Sequence, residues 1–418
     1  MILLLLGAFL LPNLGALACG FVLDDLPLIV ENSRLHSWSR IAEVWTGGYW
    51  PDRLGLTLYR PLTQTVWMAL WSLGGGRPFV FHVLSLALGA VAVVLVHRLL
   101  RDGGVPARPA LLAALLEWIA PPGVVLRRRE RWIAAVSAAL VVGASLAARA
   151  AVSPGPSFVP AVDNPMSLVD APRRVLTALW IQVLYLQKAL VACTLSADYS
   201  YKEIRLVMGL DDARAWGGIL LAVAALVAFV RVRAARLPIA LWAVPFAATA
   251  NVLFPIGTTL AERLAYLPSL GLALGAALVL SRLPERTTVA ALSVVTVLYG
   301  GRTAVRNVDW RDAGTFYRRL VETSPSSAKS HCFLGALLAS EGDDRAAVAA
   351  YDRAIAIFPA YSEAFHNRGN ALVRLGQRNA AMESYRQCLR FDPGHQGAAR
   401  NLAALEAGGP LMPERRKL

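Results

Sequence analysis

The sequence predicts an all-α protein in two parts, a polytopic bundle of membrane-crossing helices followed by a short helical-repeat solenoid. Three observations predict it. Apolar residues make up 56% of the 418; with glycine counted the share rises further above the ~45–50% usual for soluble domains. Charge is divided unevenly: residues 309–418 carry 15 Lys/Arg and 12 Asp/Glu, whereas the 308 residues before them carry 43 charged side chains. A quarter of the second segment is therefore charged, against about one residue in seven of the first, which marks two different solvents. After Asp309 a 34-residue period sets in. Of the net charge of +14, +11 lies before residue 309, where membrane topology explains it and nucleic acid does not.

Apolar runs long enough to cross a ~30 Å hydrocarbon core as helices fall at about 2–23, 79–100, 132–151, 216–231, 238–256, 265–281 and 287–301. The first lacks a basic n-region, and Pro12-Asn13 interrupts it before any cleavage-site pattern, so an uncleaved span is expected. Arg98, Arg101 and Arg108 follow the second run; Arg127, Arg128, Arg129 and Arg131 precede the third. Arg231, Arg233 and Arg236 sit between the fourth and fifth, and Arg282 and Arg286 between the sixth and seventh. All four clusters are expected on the cytoplasmic side. Seven crossings from a cytoplasmic Met1 then put residue 309 onward outside. The segment 172–195 is apolar, but Gln182, Gln187 and Lys188 make it a poor lipid-facing helix, and it is expected to be re-entrant or interfacial.

From Asp309 the spacing is that of paired helices. Pro325, Pro359 and Pro393 recur every 34 residues, and so do Gly335/Gly369, Gly342/Gly376, Ala347/Ala381 and Tyr351/Tyr385. A 34-residue unit with a small residue in helix A, Gly at the turn, Ala and an aromatic in helix B, then Pro, is the tetratricopeptide pattern. Two repeats, 328–361 and 362–395, are flanked by a lone helix B at about 309–323 and a lone helix A at about 396–407, which would cover their apolar ends. The domain division expected is 1–308 for the membrane part, with an external loop over 24–78, then 309–408 for the repeats and 409–418 as a disordered tail.

Soluble-enzyme and cofactor motifs are absent from the sequence. Cys19, Cys193, Cys332 and Cys388 show no paired spacing, and the six histidines do not pair at ligand spacing. His331 and His366, near the start of helix A in successive repeats, are expected to be structural. Asp24-Asp25 follows the first span and opens the external loop. Such a pair could supply a general base or hold a divalent metal at the lipid surface, or could simply end the helix among the headgroups. Trp38, Trp45, Tyr49, Trp50 and Tyr59 give the loop an interfacial character. In Ala261-Glu262-Arg263-Leu264-Ala265-Tyr266, the Arg263 guanidinium could take a lipid phosphate through paired donors, or could pair with Glu262 or snorkel. His366, Asn370 and Arg374 share one face of the second helix A, either a peptide-binding stripe or a solvated polar face.

Together these residues resemble the transmembrane and tetratricopeptide-repeat O-mannosyltransferases and their bacterial relatives, members of the membrane-embedded GT-C glycosyltransferase class. The resemblance runs through Phe21-Val22-Leu23-Asp24-Asp25, Tyr59-Arg60-Pro61-Leu62-Thr63, Phe81-His82-Val83, Asp163-Asn164-Pro165, Leu195-Ser196-Ala197-Asp198-Tyr199-Ser200, Ala261-Glu262-Arg263 with Tyr266-Leu267-Pro268-Ser269, and Asn307-Val308-Asp309-Trp310. It implies a GT-C-like bundle that moves a sugar, mannose by the family's name, from a polyprenyl-phosphate carrier to a protein hydroxyl on the non-cytoplasmic side. Asp24 or Asp25 would be the base, Arg60 and Arg263 would hold the lipid phosphate with Glu262 and Tyr266 beside them, and the repeats would present the acceptor polypeptide. In relatives, further membrane helices follow the helix that here begins at Ala110 and breaks off at Glu117-Trp118; a block of an even number of crossings is missing near residues 115–126. The expectation is a multi-pass protein of the bacterial inner membrane with periplasmic repeats and no nucleic-acid partner. The alternative is a non-catalytic membrane-tethered scaffold for cell-envelope proteins; a transporter is weaker, because no inverted repeat is evident.

Overall fold

The computed structural model describes residues 2–22, 24–49, 60–102, 159–191, 195–252 and 254–408. Among these the protein is all-helical, with no strand. The predicted span at 132–151, the Arg127–Arg131 cluster, the site of the missing block, Cys193 and the tail lie outside the described residues. The chain divides into two compact units, one of residues 1–158, 225–246 and 265–312, the other of residues 159–224, 247–264 and 313–418.

In the first unit α1 (Ile2–Asn13) passes at Leu14 into a 3-10 turn that ends at Ala18. A proline at position 12 sits inside the helix, and the Asn13 amide donates to the Phe9 carbonyl at 2.9 Å. Short α2 (Ile41–Thr46) and longer α3 (Pro61–Gly74) build the loop that follows, and α4 (Pro78–Asp102) is the first long apolar helix. An added Cβ at Gly89 of α4 would overlap the Phe9 ring, so this glycine lets α1 lie close. Phe9, Val93, Leu270, Leu274 and Ala277 form the buried centre of the unit.

Among the described residues three helices are long and apolar enough to cross a membrane: α4 over Pro78–Leu95, Ala213–Arg231 and Glu285–Val308. The predicted runs at 238–256 and 265–281 are shorter as helices, Arg236–Thr249 with 14 residues and Ser269–Leu280 with 12. At ~1.5 Å per residue neither reaches across a ~30 Å core. The first of them stops because Asn251 adopts a left-handed φ of 61° and its side chain bonds into the segment that follows. The segment predicted as re-entrant or interfacial forms one helix, Ala171–Leu190, whose start Asp170 caps by accepting from the Arg173 N–H at 3.1 Å. In chain order these helices are α5 (Ala171–Leu190), α6 (Ala213–Arg231), α7 (Arg236–Thr249), α8 (Ser269–Leu280) and α9 (Glu285–Val308).

The repeats fold as their period requires. A first helix, α10 (Ala313–Thr323), precedes α11 (Ala328–Glu341) and α12 (Asp344–Ile357), then α13 (Ser362–Arg374) and α14 (Arg378–Phe391), and α15 (Gln396–Glu406) closes the stack. Gly342 ends α11 at φ 92°, the left-handed cap that a residue without Cβ accepts at least cost. Tyr351 and Tyr385 are almost wholly buried, each against the backbone of a helix-A glycine. Ala347, Ala354 and Ala381 are fully buried and allow the paired helices their close approach.

Candidate functional site

Asp24 and Asp25 lie where α1 and its 3-10 extension give way to a single π-turn, Leu26–Val30. Asp24 is exposed, whereas Asp25 is half-buried and accepts from the Val22 N–H at 3.3 Å. Burial raises the Asp25 carboxyl above its ordinary value of 3.8; the Val22 N–H opposes this, neighbouring Asp24 adds to it and His82 opposes it. His82, on α4, donates Nε2–H to the Cys19 carbonyl at 3.1 Å, so it ties the end of the 3-10 extension of α1 to α4. Arg60, exposed at the N-terminus of α3, stands over the Tyr49 ring at 5.1 Å from its centroid. Both aspartates and Arg60 act electrostatically on the Tyr49 hydroxyl. The fold thus groups Asp24, Asp25, Arg60, Tyr49 and His82; the last was given no role in the sequence, although Phe81-His82-Val83 already stood out there.

The second unit carries a separate polar cluster. The Tyr185 hydroxyl accepts from the Ala261 N–H at 3.1 Å and donates to its carbonyl at 3.0 Å, fixing the backbone that leads into Glu262 and Arg263. Glu262 does not turn to Arg263: its carboxylate accepts from the Tyr199 hydroxyl at 2.5 Å and from the Ser196 N–H at 2.8 Å. Arg263 is exposed. Lys188 stands over the Tyr199 ring, 4.5 Å from its centroid. A cavity of about 300 Å³ opens here, with Lys188, Tyr199, Glu203 and Thr323 in its wall. Tyr266 is exposed and belongs to the other unit.

The segment around Asp198 joins this cluster to the repeats. The Asp198 carboxylate accepts from Ser200 at 2.8 Å, from Ser330 at 3.2 Å and from Ser327, and its carbonyl accepts from Ser324 at 2.6 Å. Lys329 pairs with Asp163 at 2.7 Å. Next to Asp163, the Asn164 amide donates to Asn251 Oδ1 and to the Ile256 carbonyl, both at 2.8 Å. The motif residues 163–165 and 195–200 therefore hold the start of the first repeat and the segment after α7. Their roles are positional, and the sequence singled them out only through the family resemblance.

On the repeats, His366, Asn370 and Arg374 share a face of α13, and two of them are engaged inside the stack. Asn370 Oδ1 accepts from the Tyr385 hydroxyl at 2.7 Å and from Asn401 at 3.0 Å, while Arg374 pairs with buried Asp344 at 2.7 Å.

The architecture and these sites define a polytopic membrane protein with a tetratricopeptide-repeat domain. Residues 153–226 match the family described as Protein O-mannosyl-transferase TMTC, DUF1736, and residues 328–361 and 362–395 each match the tetratricopeptide repeat. The chain is 30% identical to Protein O-mannosyl-transferase Tmtc3 of Drosophila melanogaster over 55% of its own length and 27% of the relative's. It is 21% identical to Protein O-mannosyl-transferase F38B6.6 of Caenorhabditis elegans over 87% and 63%, and 28% identical to Protein O-mannosyl-transferase TMTC1 of Mus musculus over 50% and 24%. It spans from about a quarter to under two thirds of the length of these relatives. The chain is thus similar, over part of its length, to the TMTC protein O-mannosyl-transferases.

Proposed function

We propose that the chain is a membrane glycosyltransferase of GT-C type that moves a sugar, mannose by the names of its relatives, from a polyprenyl-phosphate carrier to a protein hydroxyl. The observation that carries this reading is the acid pair at the end of the first helix, one carboxyl exposed and the other half-buried with a raised pKa, grouped with Arg60. A carboxylate of the pair takes the proton of the acceptor hydroxyl, whose oxygen bonds to the sugar anomeric carbon. The bond from that carbon to the phosphate oxygen breaks, and the polyprenyl phosphate leaves with the electron pair. Arg60, grouped with the acid pair, balances the phosphate charge; Arg263, Glu262 and Tyr266 are each proposed as donor-binding residues.

The membrane part is assigned to residues 1–308 with the loop 24–78 external, and residues 309–408 present the acceptor, with His366 proposed as a contact and Asn370 and Arg374, engaged inside the stack, shaping the same face of α13. The Arg clusters support repeats on the non-cytoplasmic side, the periplasm in the bacterial inner membrane proposed here, a setting with which the abundance of Ala, Leu, Val and Arg agrees. Purified protein given polyprenyl-phosphate mannose and an acceptor peptide tests the reading. Asp24→Asn and Asp25→Asn keep size and polarity, and the one that removes the base should slow transfer at least ~10²-fold. If both stay within about twofold of the parent, the acid pair is structural. No transfer from any polyprenyl-phosphate sugar, with partner capture intact, would make the chain a scaffold instead.

A further inference from the structure

We propose that Glu363, His366 and His395 form a binding site for one divalent transition-metal ion of the Zn²⁺ type at the end of the repeat stack. Glu363 and His366 are three residues apart on α13, so their side chains lie on one side of the helix, the spacing by which helices in metal-binding bundles offer a carboxylate and an imidazole together. His395 arrives 29 positions later, as the residue that caps α15. The fold brings one ligand atom of each to within 4.8 Å of the others. His395 Nε2 is 3.4 Å from the Glu363 carboxylate, and the two imidazole rings are 4.5 Å apart between centroids.

Gly397 supplies an independent observation. A Cβ there would lie 3.2 Å from His366 Nε2 and 3.4 Å from His395 Cε1, in the space where the two rings converge. Residue 397 is in the first turn of α15 and has no left-handed φ, so the backbone does not ask for glycine, and a helix there would favour alanine. The open space between the imidazoles is what the glycine provides.

Two imidazole nitrogens and a carboxylate oxygen suit Zn²⁺ and leave a coordination position open. Glu363 and Asp392 act electrostatically on His395, and both favour a cation. Without metal, His395 Nδ1 accepts the Ala398 N–H at 3.1 Å, so its proton sits on Nε2, toward Glu363. A metal at Nε2 takes the place of that proton, which moves to Nδ1. One cap hydrogen bond is given up for a metal bond that clamps α13 to α15.

The test uses the full chain in detergent, with affinity tag removed and metal stripped by chelator, titrated with Zn²⁺ against a chromophoric competitor and with Co²⁺ by visible absorption. One equivalent should bind, and Co²⁺ should develop the d–d bands of a site with nitrogen and oxygen ligands. His366→Gln, Glu363→Gln and His395→Asn, the last keeping a capping side chain, should each weaken Zn²⁺ binding by at least ~100-fold, the upper end of what the loss of a mere supporting partner costs. His331→Gln should bind as the parent does, and circular dichroism should show the variants folded. Absence of a saturable site in the parent, or parent-like binding by both His366→Gln and His395→Asn, overturns the proposal.

Discussion

Asp25 shows how a neighbour's charge and partial burial set a titration range. Burial disfavours its charged form more than the Val22 N–H and His82 favour it, and Asp24 repels it, so the group ionises above its ordinary 3.8. If Asp25 is the base, transfer should fall on acidification with a midpoint above 3.8, because the base must be deprotonated to act. Asp24→Asn removes the like charge and should move that midpoint down. A pH–rate profile of the two proteins checks this; a midpoint unmoved by Asp24→Asn would show that Asp25 is not the titrating group. Burial acts more strongly on Cys332 and Cys388, whose thiols are pushed up to about 12. Neither presents a thiolate at neutral pH in the folded repeats.

At the scale of elements, the glycines of the repeats are the sharpest feature. A Cβ at Gly335 would lie 2.6 Å from Tyr351 Cε1, and one at Gly369 2.5 Å from Tyr385 Cε1. Gly335→Ala and Gly369→Ala should therefore overpack the helix pairs and cost about 1–3 kcal/mol each, despite the better helix propensity of alanine. Gly301, in α9, has nothing within 4 Å of an added Cβ, and Gly301→Ala should be neutral or stabilising. Hydrogen exchange of peptides from α11 to α14 measures the difference. Unchanged protection in both repeat variants would show that the tyrosines can shift aside. The local rule was visible in the sequence as a Gly and a Tyr recurring at 34 residues.

For the whole molecule, the proposed orientation rests on the arginine clusters. Because Cys332 and Cys388 are buried, an added exposed thiol is the better reporter. Asn379→Cys places one on the exposed first turn of α14, and Arg233→Cys one between α6 and α7. A membrane-impermeant maleimide should label the first in intact cells and the second only after the membrane is permeabilised. The reverse pattern would invert the topology.

The helical class, the long apolar helices at 78–102, 213–231 and 285–308 and the two repeats are determined by periodicity, which is a property of residues a few turns apart. What the tertiary structure alone decided depends on distant segments meeting. The helix expected to reach residue 256 stops at Thr249 because Asn251 and Asn164, 87 residues apart, share a hydrogen bond that holds the chain out of helix. Glu262 and Arg263 are neighbours in sequence, yet Glu262 bonds to Tyr199, 63 residues earlier. His366 and His395 showed no ligand spacing, and stacking of the helices set their rings side by side. A sequence pattern records which face of an element is apolar; which polar groups converge is set by packing, whose partners no local spacing can name.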